Sequence, residues 1–281
     1  MFAGKDSYHI EIILKEKMLN KIWKLEKGKG PLVATANHNG HEIRSELKEF
    51  LFISNKERLR EEDPFTGEWT QMANIRVIGM RSRFEVDLNR QREKAVYLNL
   101  EDAWNLKVWN TKLPDKEVEN SLSEYDAFYT EMYRLFSEIE NHYGHFVVFD
   151  LHSYNHQRNG PGTLPADPEL NPEVNIGTGT MDRNYWSPVV DRFIKALSDF
   201  DYYGRHLDVR ENIRFRGGNF PRWIHQNFPE TGCALAIEFK KFFMNEWTGE
   251  PDPNQLKMIV MALKSTIPEV LDALRGFKKQ T

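Results

Sequence analysis

One cysteine, Cys233, stands in 281 residues. A lone thiol excludes an intrachain disulfide framework and any multi-cysteine zinc or iron–sulfur site, and it suits a reducing compartment. Long apolar runs are missing as well. No segment approaches the ~18 uninterrupted apolar residues that a membrane span needs. Glu11, Lys15, Glu16 and Lys17 interrupt the start of the chain where a secretory signal would need an apolar stretch. There is no excess of positive charge: 38 Lys and Arg against 42 Asp and Glu leave a formal net charge of −4. Nothing therefore draws the chain as a whole to nucleic acid or anionic lipid. The expectation is a cytoplasmic protein with neither a nucleic-acid nor a membrane partner.

Internal repeats and low-complexity tracts are also lacking, and glycine and proline are scattered among short turns instead of pooled in a linker. A single domain over residues 1–281 is expected. Three apolar runs, 32–37, 146–151 and 233–239, each follow a glycine or Gly-Pro turn and predict buried strands. Between residues 121 and 142, Tyr125, Phe128, Tyr129, Met132, Leu135, Phe136 and Ile139 recur at helical spacing. This pattern predicts an amphipathic helix stopped by Gly144. A second helix is expected from Ser187 as N-cap with Pro188 at its first position, and a third over 254–277, kinked or split at Pro268. Strands separated by such helices imply an α/β fold, a mixed and mostly parallel sheet flanked by helices. Ligands in such sheets bind beyond the carboxyl ends of the strands.

The polar residues at those ends are distinctive. The first run leads into Asn37-His38-Asn39-Gly40-His41-Glu42, where His38 and Glu42, four apart on a tight turn, could close on one metal ion. His41 competes with His38, which is preferred because it sits where the strand ends. An acidic residue at a helix start is the plainer reading of Glu42. In Phe149-Asp150-Leu151-His152, alternation puts Asp150 and His152 on one face, and Asp150 could orient a metal-bound imidazole. A loop anchor would explain the same pair. Glu238, inside the apolar run Ala234-Leu235-Ala236-Ile237-Glu238-Phe239, would be pushed toward a general base by desolvation, unless a salt bridge holds it. Asn89-Arg90, after Arg83, offers a planar fork suited to a carboxylate, and Arg216 sits in a glycine loop, Arg214-Phe215-Arg216-Gly217-Gly218.

In that order, His38-Asn39-Gly40-His41-Glu42, Ser82 to Arg90, Asp150-Leu151-His152-Ser153, Phe215-Arg216-Gly217-Gly218 and Ile237-Glu238 resemble the N-formylglutamate amidohydrolase family, itself similar to zinc carboxypeptidases and aspartoacylases. The resemblance implies a zinc-carboxypeptidase-like three-layer sandwich and one Zn2+ per chain on His38, Glu42 and His152. It implies carboxylate recognition by Arg83, Asn89 and Arg90, with Arg216 as a further contact, and catalysis by Glu238. The implied substrate is a small N-acyl acidic amino acid, N-formyl-L-glutamate first, within histidine catabolism. Another zinc amidohydrolase, peptidase or deacylase, shares the metal residues. A binding protein for acidic amino acids that has lost catalysis is the alternative of a different class.

Overall fold

The structure is a computed structural model that describes residues 22–277. Each apolar run becomes a strand, and four further strands join them in one sheet. In chain order these are β1 (Trp23–Glu26), β2 (Leu32–Ala36), β3 (Ile75–Gly79), β4 (Phe146–Tyr154), β5 (Val174–Gly177), β6 (Val209–Glu211) and β7 (Gly232–Lys240). Their spatial order is β1-β3-β2-β4-β7-β5-β6. The central strands β3, β2, β4 and β7 run parallel, β1 and β5 are antiparallel to their inner neighbours, and β6 is parallel to β5. The mixed, mostly parallel sheet is thus as expected.

Six α-helices accompany the sheet among the described residues: α1 (Asn55–Glu61), the one-turn α2 (Thr66–Trp69), α3 (Asp115–Tyr143), α4 (Ser187–Asp199), α5 (Asn219–Asn227) and α6 (Pro253–Arg275). The apolar stripe read from the sequence is the buried face of α3. The helix begins six residues earlier than the stripe does, with Asp115 and Glu117 in its first turn, where the dipole favours acid. Gly144, at φ +83°, ends it. Helix α4 starts with Ser187 already helical and Trp186 in the capping position.

Helix α6 is not split at Pro268. An interior proline costs about 3 kcal/mol. Leu263 on one side of it, and Val270 and Leu274 on the other, bury into the same core together with Ala273, and each of the three larger side chains contributes about 1.5–3 kcal/mol. Burial on both flanks outweighs the lost hydrogen bond.

Strand alternation sorts the sheet into two faces. Val147, Phe149, Leu151, Leu235, Ile237 and Phe239 pack against α4 and α6. Val33, Val148 and Ala234 pack against α3 and α5. Continued along the strands, the second face carries Asp150, His152 and Glu238 past the end of the apolar layer. His152 and Glu238 are register partners across β4 and β7.

Candidate active site

Four parallel strands finish at one edge, so the segments that leave them meet there. His38 follows β2 by two residues and is buried. The expected metal set is only partly assembled around it. His38, Asp63 and His152 each offer a ligand atom, all within 4.8 Å of one another and all buried. Asp63 Oδ2 lies 3.3 Å from His38 Nδ1 and 3.0 Å from His152 Nδ1.

Glu42 is elsewhere, which corrects the sequence-based expectation that it would complete the set with His38 and His152. The chain does not open a helix after Gly40. A Cβ at Gly40 would meet the Met80 carbonyl carbon at 2.2 Å, so only glycine allows the two backbones to touch. Glu42 then runs alongside Arg81 as a bridge, accepting from the Ser82 N–H at 2.8 Å. Its side chain is 62% exposed, 3.8 Å from Arg81. His41 also turns away from the triad and lies 2.5 Å from Glu62.

Asp63 reaches the site from the end of α1. Its backbone N–H donates to the His38 carbonyl at 3.0 Å, and the Ser153 hydroxyl donates to its Oδ1 at 3.2 Å. Lys241, buried, donates to the carbonyls of Arg60 and Glu62 at 2.6 and 2.7 Å and holds the ligand-bearing turn against the end of β7. A sequence signal existed. Glu61-Glu62-Asp63 is a run of three acids directly before Pro64-Phe65, and all three are buried, a placement that carboxylates take only when paired.

The outer nitrogen of each imidazole meets its own carboxylate. His38 Nε2 is 2.7 Å from Asp87 Oδ1, and His152 Nε2 is 2.9 Å from Asp150 Oδ2. Asp150, placed as the sequence suggested, also accepts from Thr35 at 2.8 Å and Asn37 at 3.3 Å. Asp87 carried no such reading in the sequence. It accepts from the Asn89 N–H (2.8 Å), from Arg83 (2.8 Å) and from the Tyr97 hydroxyl, joining one imidazole to one arginine.

This donor set suits a cation. Two inward Nδ1 atoms face a carboxylate, and both rings are fixed from behind by acids, the arrangement by which proteins orient metal-binding histidines. Burial works to raise the Asp63 carboxyl, but hydrogen bonds from His152 and His38 outweigh it and hold it far below the ordinary carboxylate range. Burial opposes charge on His152 as well, yet Asp150 and Asp63 carry its pKa well above that of a free imidazole.

A cavity of about 390 Å³ opens over the triad, and Arg83, Asn89, Arg90, Arg216 and Glu238 all line it. Glu238 is partly exposed to it. Its carboxyl is pushed up to about 7, chiefly by burial, with His152 opposing and Asp63 and Asp150 adding to the rise. Among the described residues it makes no ion pair, so the salt-bridge explanation of this glutamate has no partner. Asn89 Oδ1 accepts from the Phe220 N–H at 2.8 Å, fixing its amide, and Arg214 and Arg158 add two more guanidinium groups to the rim. Gly217, at φ +103°, turns the loop that carries Arg216. Five arginines line the cavity beside the carboxylates of Glu61, Asp63 and Glu238, which gives a chain that is acidic overall a local set of groups able to meet an anion.

Among the described residues no helix is long and apolar enough to cross a membrane. No curated protein matches the sequence. A crystal structure of N-formylglutamate amidohydrolase from Ralstonia eutropha superimposes with a TM-score of 0.69 at 17% identity, covering 91% of this chain and 99% of that one. A gene product of Agrobacterium tumefaciens gives 0.64 at 16% identity, covering 92% and 98%. A metallo-carboxypeptidase from Burkholderia cenocepacia gives 0.35 at 13% identity, covering 86% and 56%. The first two share the fold over nearly the whole of both chains. The sequence itself matches the N-formylglutamate amidohydrolase family over residues 30–244, a stretch that runs from the turn before His38 past Glu238 and Lys241. With its fold and its sequence in agreement, the chain belongs to the N-formylglutamate amidohydrolase family, and it is an amidohydrolase.

Proposed function

We propose that this chain hydrolyses the amide of an N-acyl acidic amino acid, N-formyl-L-glutamate first, with one zinc ion held by His38, Asp63 and His152. The observation that carries this reading is the buried triad, backed by Asp87 and Asp150, at the floor of an arginine-lined cavity. A metal bound there supplies a Lewis acid that polarises the amide carbonyl and acidifies water. Nitrogen and carboxylate ligands fit zinc, and three protein ligands leave a coordination position open.

The chain's own residues do the rest. Arg83 and Arg90, with the amide of Asn89, bind the α-carboxylate, and Arg216 and Arg214 take the side-chain carboxylate. Glu238 accepts a proton from the attacking water and delivers it to the leaving amine. Burial raises this carboxyl, which suits return of the proton to the amine, and a cation beside it favours the charged form that takes the proton up.

Two variants test the parts separately. Asp87→Asn should weaken zinc binding by about 10- to 100-fold, because the carboxylate behind a metal-binding histidine sets its orientation and basicity. A chelator competition that finds unchanged affinity would remove Asp87 from this role. Arg90→Met should keep its zinc while kcat/KM for N-formyl-L-glutamate falls roughly 10- to 150-fold, the equivalent of about 1.5–3 kcal/mol for a charged hydrogen bond. An N-acyl amino acid amide should suffer much less. Equal losses on both substrates, or a wild-type preference for neutral side chains in a screen of N-acyl amino acids, would overturn the acidic-substrate reading. Metal binding without any turnover would leave a binding protein.

A further inference from the structure

Above the triad, one wall of the cavity is built in an unusual way. The segment after the short 3-10 turn Leu100–Ala103 puts Trp104 and Asn105 both in the left-handed region, at φ +52° and +69°. Residues with a Cβ take that conformation seldom, and two in succession persist only where the surroundings enforce them. The surroundings here do so. Asp102 accepts from the Asn99 N–H at 3.0 Å and from Lys94 at 3.0 Å, and the N–H groups of Asn105 and Leu106 donate back to Leu100 and Ala103 at 2.8 Å each.

The result is an indole that is not buried. Trp104 is 45% exposed and lines the cavity. Its ring lies 4.9 Å from the guanidinium carbon of Arg83 and 5.8 Å from that of Arg90, within cation–π range of both. The two arginines differ in how else they are held. Arg83 is fixed at 2.8 Å to Asp87 and 3.3 Å to the Tyr97 hydroxyl. Arg90 is 35% exposed, 3.8 Å from Asp87, and makes a 3.4 Å contact with the Asp102 carbonyl. Its remaining contacts of note are aromatic faces, Trp104 and Tyr97 at 5.5 Å.

We propose that Trp104 is a positioning residue for substrate specificity: its indole face immobilises the Arg90 guanidinium so that the fork meets the substrate carboxylate preformed. The inference rests on the carboxylate-binding reading of Arg90. A guanidinium confined between the Trp104 and Tyr97 rings loses less freedom on binding than one free in solvent, and the saving appears as affinity. Trp104 belongs neither to the metal-binding triad nor to the proton-transfer group Glu238, so its effect should fall on KM.

The test is a double-mutant cycle on the zinc-loaded full chain with N-formyl-L-glutamate, using Trp104→Leu, Trp104→Phe, Arg90→Met and the Trp104→Leu/Arg90→Met pair. Trp104→Leu, which keeps an apolar side chain without a π face, should raise KM about 5-fold, leaving kcat and zinc content as they were. Trp104→Phe should recover most of the loss. In the Arg90→Met background the Trp104→Leu change should cost clearly less than it does in the wild type, the remainder passing through Arg83, which the same indole faces. L-glutamate titrated into the wild type should change the tryptophan fluorescence, and the change should be lost in Trp104→Phe. The proposal is overturned if Trp104→Leu costs the same factor in both backgrounds, or if it lowers kcat at constant KM. If Arg90→Met alone leaves kcat/KM intact, the carboxylate reading itself falls, and the role of Trp104 falls with it.

Discussion

Asp63→Asn should yield folded protein that no longer holds zinc tightly. The amide keeps the size of the carboxylate and can still accept from the hydrogen-bonding groups around it, but it brings no negative charge. Two imidazoles alone do not close a tetrahedral site. His152→Ala should have the same effect from the other side of the triad. Glu42→Gln is the informative control: its side chain points to solvent beside Arg81, so zinc content and turnover should match the wild type. Zinc lost in Glu42→Gln and retained in Asp63→Asn would reverse the assignment. Wild-type affinity should also fall as pH falls. His152 holds its proton to well above the usual imidazole pKa, and that proton must leave before Nδ1 can bind a metal. Proton release on zinc addition, followed in a weakly buffered solution, measures this directly.

Glu238→Gln should separate binding from catalysis. Zinc content should be unchanged, since Glu238 is not one of the three grouped ligand atoms. Loss of a positioned general base typically costs about 10²–10⁴ in rate, and kcat should drop within that range while substrate still binds. The pH profile follows from the same carboxyl. Burial raises it to about 7, and a base must be deprotonated to act, so activity should fall on the acid side. A cation beside it favours the charged form and shifts that limb below 7. In Glu238→Gln, measured at saturating zinc so that metal loss does not contribute, the acid limb should disappear along with most of the rate. A variant that turns over at the wild-type rate would make Glu238 a structural residue.

Local pattern was enough for much of this protein. The apolar runs that became β2, β4 and β7, and the stripe that became the inner face of α3, are periodicities of a few residues, which steric and hydrophobic rules translate directly into strand and helix. The same short range placed His38 at a strand end, set Asp150 and His152 on one face, and marked Glu238 as a carboxylate inside an apolar run. Tertiary structure decided the rest. The third member of the triad is 25 residues from His38 and 89 from His152 in sequence, and no spacing rule reaches that far. Glu42, at an attractive spacing, was drawn off because backbone pairing with Arg81 satisfied N–H and C=O groups and turned its side chain outward. Asp87 became the partner of His38, and Trp104 the face under Arg90, only when the segment after β3 folded across the carboxyl edge of the sheet. Burial is the physical reason for the division. A side chain's neighbours along the chain decide its element and face, whereas the cost of burying Asp63, Asp87 and Asp150 is met by partners that long-range packing alone brings within hydrogen-bond distance.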